Sequence, residues 1–555
     1  MGPGMLTALA LLLPFEARRP LLHLRYLEIT GVELLLYAVL LVWGIGWAAG
    51  RWRGWSVGHT GVAVFAMVIL LSAFLAPHER TAAFKFALRS LGGCVLFFAA
   101  ADMSEKSEFA RRHVVAVVLG ASISALAGCA EAALPRVAGL LSLFKTQPSM
   151  IGGYLRASGT FQYANIGAMY WEAAAPLALA LAIGTRERST RAPWPFIAAL
   201  ALLVEATMLS MSRAAIFLAL ALPAVCLLCA KLVAPVRRSM LAVCGLAVAL
   251  PLLSHVAFAP AFRLRMRTPG PSAWYRVGYS GVVDGMELDS GQALLLTVKA
   301  RNLGAMTWPS SGVGRITLSY HWEDPRRDGF IVWDGQRTDL PVDVLPGDEV
   351  QLSARVQAPN LSGNYVLVLD MAHEGATWFS LQGSPGVEIP VFLRTPASGG
   401  VKAPEEFPLF KPEIVRPPTR AELWRTALKM WEAHPVVGVG PDNFRHMRGF
   451  YQGLADFDRR IHSNNLYIEM LANLGSLGLL SFSALLVSLV VMLRRLWSRA
   501  LTAELKWLTL GLGASMAAFC LHGFGDYFFE FTPTYCLFWL VTGVIAGIGR
   551  PGAGK

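Results

Sequence analysis

A histidine and two amides stand at the start of a long apolar run near one end of the 555-residue chain. Residues 459–480 read RRIHSNNLYIEMLANLGSLGLL, and His462, Asn464 and Asn465 directly precede the apolar part. Histidine titrates near neutral pH and therefore suits general acid–base chemistry on a hydroxyl group. The alternative is structural, with Ser463 or Asn464 capping the membrane helix that follows.

Other charged side chains lie within a few residues of apolar runs. Glu469, one turn after the amides, either orients the histidine or only suits the dipole of the following helix. Arg156 and Arg213 lie close to the ends of apolar segments. A guanidinium there either snorkels to lipid headgroups or joins a cluster that receives an anionic, membrane-bound substrate. These residue types suit anion binding and proton transfer at a membrane surface.

The elements that carry these residues are predicted to be membrane helices. The chain is 54% hydrophobic and 15% charged, a composition that excludes an ordinary soluble protein. A membrane-spanning helix needs roughly twenty apolar residues. Twelve candidate spans cover residues 4–14, 30–49, 56–76, 83–101, 113–134, 163–184, 195–212, 214–232, 239–258, 466–493, 505–523 and 533–549.

The basic residues of the short loops predict the orientation of these spans. With the N-terminus inside, the short cytoplasmic loops and the C-terminal tail hold sixteen Lys and Arg, and the short outer loops hold eight. Because Lys and Arg gather on the cytoplasmic side, this ratio favours an inside N-terminus. The same bias explains the net charge of +12 without a nucleic-acid partner. The long region after the ninth span, and His462 with it, is then expected to be extracytoplasmic.

That long region contains two different parts. Residues 274–396 alternate short apolar, β-branched runs with turn signals such as PGDE and LSGN, a pattern typical of an antiparallel immunoglobulin or fibronectin-III sandwich. This sandwich is either a spacer or a module that binds a glycan or a partner. Trp308, Trp322, Trp333 and Trp378 either form stacking platforms for a ligand or belong to its core.

The second part is predicted to form a lid. Residues 397–462 begin with a proline-rich linker and continue with RAELWRTALKMWEAHP, in which the spacing of Leu423, Ala427, Met430 and Trp431 predicts an amphipathic helix. The predicted fold is therefore a polytopic α-helical membrane protein of about 12 transmembrane helices, with an extracytoplasmic all-β sandwich between spans 9 and 10. The predicted domains are 1–262 (spans 1–9), 274–396 (sandwich), 397–462 (helical lid segment) and 463–555 (spans 10–12).

Four ordered motifs resemble the O-antigen ligase and polymerase superfamily of membrane glycosyltransferases. They are RASGTFQYANIGAMY at 156–170, SMSRAAIF at 210–217, RAELWRTALKMWEAHPVVGVGPDNF at 420–444 and HSNNLYIEMLANLGSLGLL at 462–480. The resemblance covers nearly the whole chain except the sandwich, which looks like an insertion in the family's outer loop. Gly475 and Gly478 complete the family's G-x-x-G, which we interpret as close helix packing.

The resemblance implies transfer of a glycan from an undecaprenyl-diphosphate carrier to an acceptor hydroxyl at a bacterial cytoplasmic (inner) membrane. The acceptor is lipid A core for a ligase, or a second lipid-linked glycan for a polymerase. By their motif positions, Arg156, Arg213 and Arg420 are the expected phosphate ligands, because the arginine fork engages phosphate oxygens bidentately. His462 is the expected general base. The expected substrate-binding residues are Arg156, Asn464, Asn465, Asn165 and Glu469.

One departure from the family pattern concerns the base. The spacing to Gly475 puts Asn465 at the family's Asn and Asn464 at its His, so the histidine lies two residues early. Either His462 takes over the role, or the base is another group. No metal or other cofactor is required by the sequence. The alternative function is a polytopic transporter of a lipid-linked or anionic substrate, without transferase activity.

Overall fold

The structure is a computed structural model. It describes residues 2–24, 27–50, 55–188, 193–233, 236–312, 314–324, 326, 329–394, 418–454 and 457–548. The proline-rich linker predicted before the lid helix lies outside the described residues, as do several residues of the charge count, namely Arg25, Arg51, Arg53, Arg191, Arg550 and Lys555.

Most of the described chain is helical. The helices are α1 (Gly2–Leu12), α2 (Gly31–Ala48), α3 (Val57–Phe74), α4 (Arg80–Met103), α5 (Ser107–Ala133), α6 (Ala138–Leu141), α7 (Ala164–Arg188), α8 (Trp194–Leu209), α9 (Arg213–Leu228), α10 (Ala230–Val233), α11 (Arg238–Phe258), α12 (Pro260–Arg267), α13 (Arg420–Ala433), α14 (Asn443–Gln452), α15 (Leu466–Arg499), α16 (Ala503–His522) and α17 (Thr532–Ile548).

A helix lies at each of the twelve predicted spans. Within the described residues, seven helices are long and apolar enough to cross a membrane: α2, α3, α4, α5, α7, α11 and α15. Four further apolar helices are shorter, at Gly2–Phe15, α8, α9 and α17. The chain is thus a polytopic membrane protein, and the count of twelve spans stays a prediction.

The chain divides into two compact units. The first contains Met1–Ser149, Arg156–Phe258 and Pro418–Lys555, and it holds the apolar helices together with α13 and α14. The second contains Met150–Leu155 and Ala259–Pro417. The candidate site described below lies entirely in the first unit.

Helix α15 is broken at Gly475. This residue has φ 65° and ψ −167°, a left-handed backbone conformation that only glycine adopts readily. A Cβ built on Gly475 would lie 2.4 Å from the carbonyl carbon and oxygen of Val436. The sequence analysis interpreted this glycine as a packing residue, which is incomplete: glycine is needed here for the backbone conformation and for a close approach of the chain.

The turn formed by residues 435–440 fills the break in α15 with main-chain hydrogen bonds. Amides of the turn donate from Val439 to Ala472 and from Gly440 to Asn473, at 3.0 and 2.9 Å. Amides beyond the break, at Ser476 and Leu477, donate back to carbonyls of the turn at 2.8 and 3.1 Å. A helix interruption leaves backbone groups without partners, and in a membrane protein such groups must be satisfied by other protein groups.

Helix α13 packs on the N-terminal part of α15 through the face that the sequence predicts. Leu423, Ala427 and Met430 are buried in a small core shared with Ala472 of α15. A capping box at Thr419 starts the helix. Trp431, the fourth predicted apolar position, lies half-buried at the edge of this contact. The amphipathic spacing therefore describes the buried face of α13 correctly.

Residues 277–394 of the second unit form two sheets around one apolar core. The strands of the described chain are β1 (Leu22–Leu24), β2 (Leu27–Ile29), β3 (Ser149–Ile151), β4 (Tyr154–Arg156), β5 (Val277–Ser280), β6 (Met286–Asp289), β7 (Ala293–Asn302), β8 (Ile316–Glu323), β9 (Phe330–Val332), β10 (Thr338–Asp339), β11 (Glu349–Gln357), β12 (Gly363–His373), β13 (Thr377–Trp378) and β14 (Val387–Arg394). One sheet has the order β10-β8-β12-β14-β6, with β9 and β13 attached, and the other has the order β11-β7-β5.

Among the described strand pairs of these two sheets, all but one are antiparallel. Strands β14 and β6 pair in parallel, which differs from the predicted antiparallel sandwich at this pair. Strands β7 and β11 bury every second side chain, as expected for sheets with one face on a core. The assignment to the immunoglobulin or fibronectin-III type stays a prediction.

Candidate functional site

His462 lies between two carboxylates. Its Nδ1 hydrogen-bonds to Oε1 of Glu469, and its Nε2 lies 3.0 Å from Oε2 of Glu530, an ion-pair distance without hydrogen-bond alignment. The imidazole is only 7% exposed and stacks on the ring of Tyr527, with 4.8 Å between centroids. The ring is therefore fixed by contacts on both edges and on one face.

This arrangement sets the protonation state of the histidine. Burial lowers the pKa of His462, but the carboxylates of Glu469 and Glu530 outweigh burial and raise that pKa well above its ordinary value. Burial raises the pKa of Glu530, but His462 and the nearby Arg445 outweigh burial and lower it. The raised pKa of His462 and the lowered pKa of Glu530 therefore favour an imidazolium beside an ionised Glu530. Of the two carboxylates, Glu530 has a partly exposed side chain, whereas Glu469 is fully buried.

Glu469 holds the segment before α15 in place. Besides His462, its carboxylate accepts hydrogen bonds from the amide and the hydroxyl of Ser463, at 2.7 and 2.9 Å through Oε2. Hydrogen-bond donors on both oxygens offset the free-energy cost of burying the Glu469 carboxylate, and the carboxylate in turn fixes the direction of the imidazole. Of the two roles that the sequence left open for Glu469, the geometry supports orientation of the histidine.

The cap of α15 is Asn465, and neither Ser463 nor Asn464 occupies that position. The Oδ1 of Asn465 accepts from the amides of Tyr467 and Ile468, at 3.0 and 3.1 Å, as an N-cap residue does. Asn464 is half-buried with φ 54°, a left-handed conformation that asparagine tolerates better than most residues. The expectation that Ser463 or Asn464 caps the helix is therefore wrong by one or two positions.

The loop of residues 523–531, between α16 and α17, connects the predicted site residues. Asn465 donates from Nδ2 to the carbonyl of Phe524 at 3.1 Å, and Arg420 donates from Nη2 to the carbonyl of Gly525 at 2.9 Å. We call this segment the 523–531 loop; its sequence is GFGDYFFEF. The same loop supplies Tyr527 and Glu530 to the histidine.

Arg156 reaches the 523–531 loop through Asn165. Its Nη2 donates to Oδ1 of Asn165 at 2.5 Å, and Nδ2 of Asn165 donates to Oδ2 of Asp526 at 3.2 Å. The Nε of Arg156 donates to the carbonyl of Ser210 at 2.8 Å, which joins the first two sequence motifs. Burial lowers the pKa of this guanidinium, and Asp526 opposes that effect. Arg156 thus links three segments of the chain, with two of its nitrogens already engaged.

A buried ion pair anchors the segment that carries Arg156. Lys145 and Glu131 are both 5% exposed and form a salt bridge, and Lys145 also donates to the hydroxyl of Ser158 at 2.7 Å. The Oε2 of Glu131 accepts from the amides of Ser158 and Gly159, at 3.0 and 2.9 Å. Lys145 is one of the eight basic residues that the sequence analysis assigned to the short outer loops. Its salt bridge to the buried Glu131 gives it a structural role, which explains why a basic residue lies in a predicted outer loop.

Arg213 and Arg420 are exposed and occupy the first positions of α9 and α13. A Cβ built on Gly525 would lie 3.9 Å from Nη1 of Arg420 and 4.0 Å from Cβ of Ala214. The N-termini of two helices therefore approach the 523–531 loop at the same residue. The helix dipole is positive at a helix N-terminus, which favours anions, and arginine adds a full charge.

The structure thus brings most of the predicted residues to one loop, and it adds residues that the sequence analysis missed. The missed residues are Asp526, Tyr527 and Glu530. A signal for them exists in the sequence: two carboxylates lie in an apolar stretch between the last two predicted spans, on the same predicted side of the membrane as His462. Asn465 and Arg420 bond to this loop directly, Arg156 reaches it through Asn165, and His462, which is held by Glu469, contacts its Tyr527 and Glu530. Arg213 is placed near the loop only through its neighbour Ala214, and Asn464 is not placed against the loop by any contact of the described residues.

Comparison with known proteins gives one family. Residues 417–483 match the O-antigen ligase family, a region that runs from the start of α13 through His462 into α15. The match contains the last two of the four sequence motifs and supports the resemblance to the O-antigen ligase and polymerase superfamily. No curated protein matches the chain.

Proposed function

We propose that this protein transfers a glycan from an undecaprenyl-diphosphate carrier to an acceptor hydroxyl on the outer side of a bacterial cytoplasmic membrane. The match to the O-antigen ligase family supports the reaction class. The observation that carries the proposal is the convergence at Gly525, where two helix N-termini with exposed arginines meet the loop that also supplies Glu530 to His462. The loop that lies beside the two arginines, which can bind an anion, therefore also carries Glu530, which can exchange a proton next to His462.

The chemistry of the reaction matches these groups. The acceptor oxygen forms a bond to the anomeric carbon of the glycan, and the bond from that carbon to the diphosphate oxygen breaks. Negative charge then develops on the diphosphate, which Arg213 and Arg420 stabilise together with the helix N-termini. The proton of the acceptor hydroxyl must go to a base within hydrogen-bond reach.

The proton acceptor is best assigned to the His462–Glu530 pair, with Glu530 taking the proton. An imidazolium has no free lone pair, so His462 in its charged form cannot act as the general base that the sequence analysis proposed. The Glu530 carboxylate is ionised and partly exposed. In this assignment His462 positions Glu530 and balances its charge.

The pH profile of kcat/KM distinguishes the two assignments. If the imidazolium is required, transfer is at its plateau near neutral pH and falls as pH rises through the raised pKa of His462. If neutral His462 is the base, transfer instead increases as pH rises through that same pKa. We expect the fall. The profile would be measured with purified protein in nanodiscs and a lipid-linked oligosaccharide, and an increase at alkaline pH would return the role of base to His462.

A transfer assay with reconstituted protein identifies the acceptor. Purified protein is supplied with lipid-linked oligosaccharide, with and without lipid A core. Chain lengthening without core identifies a polymerase that uses a second lipid-linked glycan, and transfer only to core identifies a ligase. We expect one of these two products. Release of neither product, with movement of the intact lipid-linked glycan across the bilayer, would contradict the transferase and favour the transporter alternative.

A further inference from the structure

Arg89 is a charged residue inside the apolar helix α4, within the predicted span 83–101. A charged side chain within a membrane span is costly, and it is usually paired and functional. Helix α4 packs along α17, and Arg89 reaches the point where the 523–531 loop joins α17. The contacts at that point account for the charge.

The guanidinium of Arg89 holds both ends of a short turn. Its Nη1 donates to the carbonyl of Phe529 at 3.3 Å, and its Nη2 donates to Oγ1 of Thr532 at 3.1 Å. Glu530 lies between these two acceptors in the chain. The two bonds therefore fix the main chain on both sides of the carboxylate that faces His462.

The local sequence leaves the carbonyl of Phe529 in need of such a donor. The amide four residues on, which would bond to this carbonyl if α17 began earlier, belongs to Pro533, and proline has no N–H. Phe529 is buried, and a buried main-chain carbonyl needs a hydrogen-bond partner within the protein. Arg89 supplies that partner from another helix.

Arg89 is itself held by other parts of the chain. Its Nε lies 3.7 Å from Oε1 of Glu33, and its guanidinium lies over the ring of Tyr535, 5.5 Å from the centroid. Glu33 belongs to the capping box of α2, in which its Oε2 accepts from the amide of Thr30 at 3.0 Å. With Nη1, Nη2 and Nε all facing protein partners, Arg89 is placed to support the loop and not to bind a substrate phosphate.

The charge of Arg89 also acts on Glu530. The charged and titratable groups that face Glu530 are His462 before α15, Arg445 of α14, Arg89 of α4 and Tyr527 of the same loop. Burial raises the pKa of Glu530, whereas His462 first, and then Arg445 and Arg89, lower it. Removing the positive charge of Arg89 is therefore expected to raise the pKa of Glu530, and a substitution that keeps the charge is not.

We propose that Arg89 is a positioning residue for glycan transfer, which fixes the turn of residues 529–532 and thereby holds Glu530 against His462. This proposal rests on the proposed function, in which Glu530 takes the proton of the acceptor. The carboxylate must lie within hydrogen-bond reach of the acceptor hydroxyl while the oxygen of that hydroxyl bonds to the anomeric carbon. Misplacement of a reacting group by about 1 Å can lower a rate about a hundredfold.

Two substitutions separate the charge of Arg89 from its planar fork. Arg89→Gln removes the charge, whereas Arg89→Lys keeps the charge and loses one of the two bonds to the turn. We expect kcat/KM per folded protein to fall about a hundredfold in Arg89→Gln and about tenfold in Arg89→Lys. Transfer falls as pH falls through the pKa of Glu530, and this acid limb should move to higher pH in Arg89→Gln alone.

A purely structural arginine would behave differently. Its loss would lower the folded fraction, which thermal unfolding reports, and it would leave the acid limb of the folded protein in place. Arg80→Gln is the matched control, because Arg80 is the exposed first residue of the same helix. We expect this variant to match the wild type in kcat/KM and in its acid limb.

Solid-state NMR of the Glu530 carboxyl gives a readout that needs no turnover. Full-length protein in lipid, labelled with ¹³C at the glutamate carboxyl carbons, is titrated with pH, and Glu530→Gln identifies the signal. We expect the titration midpoint to rise in Arg89→Gln and to stay at the wild-type value in Arg89→Lys. An unchanged midpoint in folded Arg89→Gln would overturn the proposal, and so would wild-type kcat/KM in either Arg89 variant. A wild-type protein that transfers no glycan, with the midpoint still raised in Arg89→Gln, would contradict the proposed function and not the hold of Arg89 on Glu530.

Discussion

Replacing His462 by alanine is expected to lower the rate of glycan transfer at least about a thousandfold. Losses of this size are usual when a residue that supports proton transfer and stabilises charge at a site is removed. The substitution leaves the fully buried Glu469 without its charged partner and frees Glu530 from the ion pair. Breaking a buried pair by deleting one partner commonly costs about 3–5 kcal/mol of stability. The measurement is transfer of a labelled glycan by purified protein in nanodiscs.

A loss of folding must be separated from a loss of chemistry. The double variant His462→Gln with Glu469→Gln replaces the buried ion pair by two neutral amides, so we expect it to fold and still to transfer at least about a hundredfold more slowly. His78→Ala is the control, because this exposed histidine lies between α3 and α4 outside the site. Near-wild-type transfer by a folded His462 variant would remove the histidine from the mechanism.

Replacing Arg213 or Arg420 by lysine is expected to reduce kcat/KM about a hundredfold in each case. Lysine keeps the positive charge but loses the planar fork that binds two phosphate oxygens at once. Arg420 loses in addition its bond to the carbonyl of Gly525. The rate of transfer from the lipid-linked donor is the readout, measured at saturating acceptor.

Arg460→Lys is the matched control for this prediction. Arg460 is an exposed arginine in the same part of the chain, and its guanidinium forms an ion pair with Asp458. We expect its substitution to leave kcat/KM within about twofold of the wild type, as is usual at an exposed ion pair. If all three lysine variants transfer equally well, the role of the bidentate arginines in binding the diphosphate is refuted.

Local sequence patterns predicted the helices and much of the site. Apolar length identified the membrane helices, and helical spacing identified Leu423, Ala427 and Met430 as the buried face of α13. The ordered motifs named Arg156, Asn165 and His462, and the structure places these residues around one loop although they lie far apart in the chain.

The remaining features depend on contacts between distant segments. Glu530 pairs with a histidine 68 residues earlier in the chain, and no periodicity connects the two. The break at Gly475 was equally hidden, since the apolar pattern of α15 continues on both sides of it. Only the turn at residues 435–440, which supplies partners for the exposed backbone groups, makes the break stable. The raised pKa of His462 comes first from Glu469, which the sequence analysis named, and then from Glu530, which it missed.

The break in α15 also divides its 34 residues into two lengths with different roles. At 1.5 Å per residue, Ser476–Arg499 is about 36 Å long, enough on its own to cross a hydrocarbon layer of about 30 Å. The nine residues from Leu466 to Leu474 are then surplus to the crossing. For the proposed transferase, this length lets a lipid carrier keep its tail in the bilayer while its diphosphate meets Arg213 and Arg420, without a charged group entering the hydrocarbon.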